Sequence, residues 1–250
     1  MYFNDENMIN LVKNYLKYHH QKNNLSGDAK KWTNTLLNKL VMVEKADLFR
    51  YIAIYIHGGV YVDSDVICKV PIEHWLLRYS DTLGNISLED VDMIVGIEFL
   101  KRHGPNPFQL VQWTFAARRH SPILKAVIDI CIRYIMRGRY ISDVLQRTGP
   151  GMFTHAVLTY IIAKSTSHKY GRSTSDYLPY PFHVIHPMEQ LDRTGQILIL
   201  RDRNTTSRLC ILPYRAFGIF DEHQSVNKLP ASQQLVQHLF DASWMNRSFH

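Results

Sequence analysis

The sequence of 250 residues contains few cysteines and no long apolar run. The three cysteines, Cys68, Cys131 and Cys210, are widely spaced, which excludes both a paired-cysteine zinc pattern and a disulfide framework. No stretch reaches the roughly 18 apolar residues that a membrane-spanning helix requires. The polar residues after Met1 exclude the apolar core of a signal peptide. We therefore expect a soluble chain, unless an anchor precedes it.

The chain also lacks a concentrated patch of charge, although it is basic overall. Its formal net charge is +7, and the basic residues are scattered along the sequence. This charge suits a nucleic acid, an anionic membrane or a nucleotide-linked substrate, but it is equally typical of ordinary solubility. No nucleic-acid-binding motif supports the first reading, so we predict no nucleic-acid partner.

The sequence has neither an internal repeat nor a low-complexity linker, which favours one domain over residues 1–250. Strand-like segments alternate with helix-like ones, which indicates an α/β fold with a mainly parallel sheet flanked by helices. Apolar spacing predicts helices over 5–19, 30–41, 44–57, 106–119, 122–137 and 148–164, and strands over 60–66, 91–99, 182–187, 196–200 and 209–213.

The segment "GGVYVDSDV" (58–66) places two carboxylates, Asp63 and Asp65, at the end of an apolar run. In an extended strand, residues two apart point to the same side and would repel each other without a cation. Hard oxygen ligands favour Mg²⁺ or Mn²⁺, whose open coordination positions accept phosphate oxygens. The pattern therefore predicts a site for a metal and a diphosphate. The alternative is a surface strand end with two solvated aspartates.

The helix before this segment carries Asp47 and Arg50, which are three residues apart and share a face. The whole stretch "ADLFRYIAIYIHGGVYVDSDV" resembles the long gapped signature of family 32 glycosyltransferases. Later blocks, in the same order, resemble the fungal initiating α-1,6-mannosyltransferases of the outer-chain branch. These blocks cover residues 91–98, 109–124, 147–157 and 238–244.

The resemblance implies a GT-A type (Rossmann-like) fold and a set of roles around the donor. Asp63 and Asp65 would be the catalytic pair, which holds Mn²⁺ (or Mg²⁺) and the donor diphosphate. Asp47 and Arg50 would bind hydroxyls of the donor sugar, and Tyr61 would pack near the nucleotide.

The resemblance also implies roles for two glycines and for the end of the chain. Gly58 and Gly59 would let the backbone approach the donor closely, although they also suit a plain helix C-cap. His238 would be a third metal ligand, or else a structural histidine. Ser243 and Trp244 would contact the diphosphate, with core packing as the alternative for Trp244.

Two further features have an open interpretation. Thr148, Gly149 and Pro150 precede a helix, whose N-terminal N–H groups would attract anions or sugar hydroxyls, unless they form only a capping turn. Glu98 follows a strand and would contact the acceptor or sugar, or else be an exposed strand end.

The expected activity is metal-dependent, retaining transfer of mannose from GDP-mannose to a mannoside or N-glycan acceptor in the Golgi lumen. Three sequons, at Asn85, Asn204 and Asn246, are compatible with that compartment. Departures from the family pattern leave other functions open. Ala242 replaces an expected glycine, Met245 replaces a common lysine, and the usual first strand is missing, as in an N-terminally truncated chain. The alternatives are a weak or inactive partner subunit of a glycosyltransferase complex and an inositol-phosphoceramide mannosyltransferase.

Overall fold

The computed structural model describes residues 4–79, 88–100, 108–137, 143–165, 198–201, 208–217 and 234–239. Its helices are α1 (Asp5–Lys22), α2 (Ala29–Leu37), α3 (Met42–His57), α4 (Pro122–Arg137), α5 (Val144–Arg147), α6 (Pro150–Ser165) and α7 (Tyr214–Phe217). Its strands are β1 (Gly59–Val62), β2 (Val66–Cys68), β3 (Met93–Leu100), β4 (Phe108–Leu110), β5 (Thr114–Ala117), β6 (Leu198–Arg201), β7 (Arg208–Leu212) and β8 (Val236–His238).

The main sheet has the strand order β1-β5-β3-β7-β6, and β4 pairs with β3 beside this path. The predicted α/β class is confirmed, and the described sheet is mixed. Only β3 and β7 pair in parallel, whereas the other pairs are antiparallel. Between β3 and β7 the chain passes through β4, β5, α4, α5, α6 and β6, and a parallel pair requires a long connection of this kind. Short connections join β3, β4 and β5, which makes those pairs antiparallel.

Residues 106–119 do not form the predicted helix, because 108–110 and 114–117 are the strands β4 and β5. β5 lies between β1 and β3, and its residues Thr114, Phe115 and Ala117 are all buried. A strand that is buried on both faces loses the alternation of apolar and polar residues that identifies a strand. Without that alternation, the segment resembles a helix in its sequence.

Residues 236–238, for which the sequence predicts no secondary structure, form β8. β8 pairs antiparallel with β2 in a separate two-stranded sheet. Three residues gain a strand conformation only from that partner, and local sequence does not reveal it. The strands predicted over 196–200 and 209–213 are confirmed by β6 and β7. The strand predicted over 182–187 lies outside the described residues.

The sheet is covered on both faces by apolar clusters. On β3, Met93 and Val95 face the cluster formed with α1, α2, α3, α4 and α6, whereas Ile94 faces the other cluster. That second cluster contains Trp75 and Phe217, whose rings meet edge to face at 4.9 Å. The alternation follows from the strand period of two.

The described residues contain no helix that is both long and apolar enough to cross a membrane. All three cysteines carry free thiols, of which Cys131 and Cys210 are buried and Cys68 is exposed.

Candidate functional site

The two glycines between α3 and β1 set the direction of the acidic segment. Gly58 has φ of 69° and Gly59 has φ of 101°, and such values favour glycine. The Gly58 N–H donates to Ile54 O at 2.8 Å, so Gly58 caps α3. A Cβ at Gly58 would lie 2.8 Å from the backbone nitrogen of Arg119. The close approach at Gly58 is thus to the protein's own backbone, and an approach to a donor stays a prediction.

Asp63 and Asp65 lie in a turn between β1 and β2, not in one continuous strand as the sequence predicts. The Val66 N–H donates to Asp63 O at 3.2 Å within this turn, and the Asp63 N–H donates to Trp113 O at 2.9 Å. The turn is therefore fastened to the connection between β4 and β5. Both aspartate side chains are partly exposed, so they remain accessible from solvent.

His238 is brought to the acidic pair by the pairing of β8 with β2, in which Val66 lies opposite His238. His238 Nε2 lies 3.6 Å from Asp65 Oδ1, and the Leu239 N–H donates to Asp65 O at 2.8 Å. Ligand atoms of Asp63, Asp65 and His238 all lie within 4.8 Å of one another. The three predicted metal-ligating side chains therefore converge.

The donor atoms of this cluster fit a divalent cation. Two carboxylates and one imidazole are ligands that Mn²⁺ accepts. Burial lowers the pKa of His238, against the opposing effect of Asp65 and Asp63, and so favours the neutral imidazole that a metal requires. The Trp113 ring packs edge to face on the His238 ring at 4.7 Å, which restricts its orientation.

Arg50 connects the acidic turn to α3. Its Nη2 lies 3.2 Å from Asp47 Oδ1, and its Nη1 lies 3.7 Å from Asp63 Oδ1. Its Cζ lies 5.0 Å from the centre of the Tyr61 ring. Burial by itself would lower the pKa of Arg50, but Tyr61 and the two carboxylates raise it above its ordinary value. The guanidinium therefore stays charged and offsets part of the negative charge at the turn.

Tyr61 also acts on the acidic turn directly. Its hydroxyl donates to Asp63 Oδ1 at 2.6 Å, and its ring stacks on Phe115 at 5.8 Å. Burial raises the pKa of Tyr61, so the hydroxyl keeps its proton and remains a donor. This bond restricts the rotation of the Asp63 carboxylate. Packing of Tyr61 near a nucleotide stays a prediction.

Asp47 is 4% exposed, and protein groups surround its carboxylate. Besides Arg50, the Gln112 amide donates to Oδ1 at 3.2 Å and the Thr148 hydroxyl donates to Oδ2 at 2.7 Å. Burial raises the pKa of Asp47, although Arg50 and Thr148 favour the charged form. The structure shows contacts of Asp47 with protein groups only, and its expected contact with donor hydroxyls stays a prediction.

Sequence reasoning missed Gln112 and Trp113 as site residues and gave Thr148 only a capping or backbone role. The helix predicted over 106–119 hid Gln112 and Trp113, since it separated them from the acidic turn. The signal that was available is the resemblance of 109–124 and 147–157 to family blocks. That resemblance marks both segments but does not say which side chain faces Asp47.

Glu98 lies on β3, and its Oε2 accepts a hydrogen bond from Gln109 Nε2 at 2.5 Å. Burial raises the pKa of Glu98, while the bond from Gln109 opposes that rise. Its predicted contact with an acceptor or sugar stays a prediction. Ser243 and Trp244, with the neighbouring departures Ala242 and Met245, lie outside the described residues.

The N-terminal third of the chain, which contains the acidic turn, is similar to a known protein family. Residues 1–82 match the model of a family described as "Glycosyltransferase sugar-binding region containing DXD motif". This part of the chain is therefore similar to that glycosyltransferase family. The match contains α1, α2, α3 and the turn with Asp63 and Asp65, and so it includes the segment on which the resemblance was recognised.

Among curated relatives of this chain are two fungal proteins named "Initiation-specific alpha-1,6-mannosyltransferase". The one from Candida albicans is 29% identical over 140 residues, which cover 47% of this chain and 34% of that relative. The one from Schizosaccharomyces pombe is 27% identical over 215 residues, which cover 81% of this chain and 47% of that relative. These relatives support the predicted resemblance to the mannosyltransferase branch. The chain spans a third to a half of their length.

One solved structure, "PaToxG Glycosyltransferase", has a TM-score of 0.36 and 18% sequence identity, and the match covers 61% of this chain and 42% of that one. This likeness is too slight to support an argument about the fold. The GT-A assignment therefore depends on the family resemblance.

Proposed function

We propose that the chain is a metal-dependent, retaining glycosyltransferase that moves mannose from GDP-mannose to a mannoside or N-glycan acceptor. The observation that carries this proposal is the convergence of Asp63, Asp65 and His238 within 4.8 Å, next to Arg50. Two neighbouring aspartates are common on protein surfaces. Two solvated aspartates alone would not explain why the His238 imidazole from a distant strand and the buried Arg50 guanidinium lie beside them. The relatives named as mannosyltransferases favour mannose as the transferred sugar.

The metal site would use the three side chains of the cluster. A bound Mn²⁺ or Mg²⁺ would neutralise charge on the leaving nucleotide diphosphate. The protein's own contribution is to hold its ligands in place. Tyr61 and Arg50 restrict Asp63, and Trp113 restricts His238. Ligands held in this way need little reorganisation when the ion and the donor bind.

The proposal is tested by calorimetric titration of GDP in the presence of Mn²⁺, and by hydrolysis of GDP-mannose. Asp65→Asn keeps the size of the side chain and removes its charge, so we expect it to lose most of the Mn²⁺-dependent GDP binding. Asp129→Asn on α4, outside the cluster, is the matched control and should bind as the wild type does. Equal binding by Asp65→Asn and wild type would overturn the metal site.

The hydrolysis assay separates the alternative functions. A weak or inactive partner subunit would bind GDP and Mn²⁺ but would not hydrolyse GDP-mannose. A panel of nucleotide sugars identifies the donor, because the base and the sugar are tested independently. Transfer to a mannoside, compared with transfer to inositol-phosphoceramide, then distinguishes the two acceptor classes.

A further inference from the structure

The polar groups around Asp47 form a buried network, in which Arg50 Nε has no hydrogen-bond partner among the described residues. Its carboxylate accepts from Thr148 Oγ1 at 2.7 Å on one oxygen and from Gln112 Nε2 at 3.2 Å on the other, and Arg50 Nη2 forms an ion pair with that second oxygen at 3.2 Å. Asp47, Gln112, Thr148 and Arg50 are all buried. Hydrogen bonds in such surroundings are strong, and the loss of one donor is costly because water does not replace it.

The backbone carbonyl of Thr148 is held by two neighbouring side chains. The Tyr51 hydroxyl donates to Thr148 O at 2.8 Å, and Gln112 Nε2 lies 3.3 Å from the same oxygen. The Tyr51 ring stacks on Phe153 of α6 at 5.5 Å. The Thr148 hydroxyl is therefore a fixed donor aimed at Asp47, and not a surface group that turns freely.

Arg50 links this network to the acidic turn. One side of its guanidinium faces Asp47, while Nη1 faces Gln112 O at 3.4 Å and Asp63 at 3.7 Å. Because the guanidinium is a rigid planar fork, the position of the carboxylate on one side affects the direction in which the other side meets its partner. The groups that fix Asp47 thereby set the direction in which the guanidinium meets Asp63.

We infer that Thr148 and Gln112 are positioning residues, which fix Asp47 so that Arg50 holds Asp63 in place for the ion and the donor. This inference deepens the proposed function, and its kinetic part rests on that function. Neither residue lies in the acidic turn. Their side chains act through Asp47 and Arg50.

The test compares Thr148→Val, which removes the hydroxyl with almost no change of shape, with Thr148→Ser, which keeps the hydroxyl. Thr154→Val is the matched control, because Thr154 is a second buried threonine whose hydroxyl bonds to Pro150 O and Leu110 N, away from Asp47. Gln112→Met removes the amide donor. It serves as a second variant if Thr148→Val fails to fold.

Two readouts are needed. The first is nitrogen NMR of the Arg50 guanidinium in the whole chain, where restricted rotation gives separate Nη signals and free rotation averages them. We expect separate signals in wild type, Thr148→Ser and Thr154→Val, and averaged signals in Thr148→Val and Gln112→Met.

The second readout is donor kinetics. Loss of a residue that orients a metal ligand without itself binding the metal typically lowers metal affinity or activity about 10- to 100-fold. We expect kcat/KM of Thr148→Val to fall about tenfold, mainly through KM, and Thr148→Ser to restore it.

The outcomes distinguish the two claims. If wild type hydrolyses no nucleotide sugar, the proposed function is wrong, and the NMR comparison still decides the positioning role. If Thr148→Val and Gln112→Met keep the wild-type Arg50 signals, the positioning role is wrong even if the enzyme is active. Equal kinetic losses in Thr148→Val and Thr154→Val would also overturn it, since they would report general destabilisation.

Discussion

The ion pair between Glu44 and Arg147 allows a quantitative prediction about how α3 is anchored. Glu44 is fully buried at the start of α3, and its Oε2 accepts from Arg147 Nη2 at 2.5 Å and from Val41 N at 3.0 Å. Arg147 Nε donates to the other oxygen. Replacing Arg147 with methionine would leave a buried carboxylate with one remaining donor.

The exposure of the two partners sets the expected magnitudes. Removing one partner of a buried pair costs about 3–5 kcal/mol, because the other charge is left without compensation. The Arg147 side chain is 18% exposed, whereas that of Glu44 is 0% exposed. We therefore take the lower end, about 3 kcal/mol, for Arg147→Met. Glu44→Leu should cost only about 1 kcal/mol, since Arg147 then turns toward water.

Urea denaturation at pH 7, followed by circular dichroism, measures these losses. The double variant should be about as stable as Glu44→Leu alone, because no buried charge remains. In a chain of 250 residues, 3 kcal/mol corresponds to a fall in Tm of about 6–12 °C. A loss below about 1 kcal/mol for Arg147→Met, or a larger loss for Glu44→Leu than for Arg147→Met, would refute the reasoning.

Two further predictions concern the glycine pair and the compartment. Gly58→Ala should destabilise the fold more than Gly59→Ala. Both glycines have positive φ, which costs a residue with a side chain about 1–3 kcal/mol at either position. Only at Gly58 would the added Cβ also lie within 3 Å of backbone. Equal losses in urea denaturation would contradict this. If the protein resides in the Golgi lumen, at least one sequon among Asn85, Asn204 and Asn246 should carry a glycan on the full-length protein from its own host. Unchanged gel mobility after endoglycosidase treatment would count against that compartment.

The local part of the site was determined by the sequence alone. The helix that carries Asp47 and Arg50 leads directly through two glycines into the acidic turn. All these residues lie within twenty positions of one another, so helical spacing and chain continuity bring them together. The α/β class and most helices were predictable for the same reason, since amphipathic periodicity is a property of the neighbouring chain.

Tertiary structure decided what lies around that local part. Gln112 and Thr148 meet Asp47 because β5 inserts into the sheet and α6 packs on α3, and neither event is encoded in short-range periodicity. The direction of the strands was likewise set by the length of the connections between them. His238 was predicted only by resemblance, and it reaches Asp65 because β8 pairs with β2. A strand of three residues has no stable conformation of its own, so its place is determined by the partner that completes its hydrogen bonds.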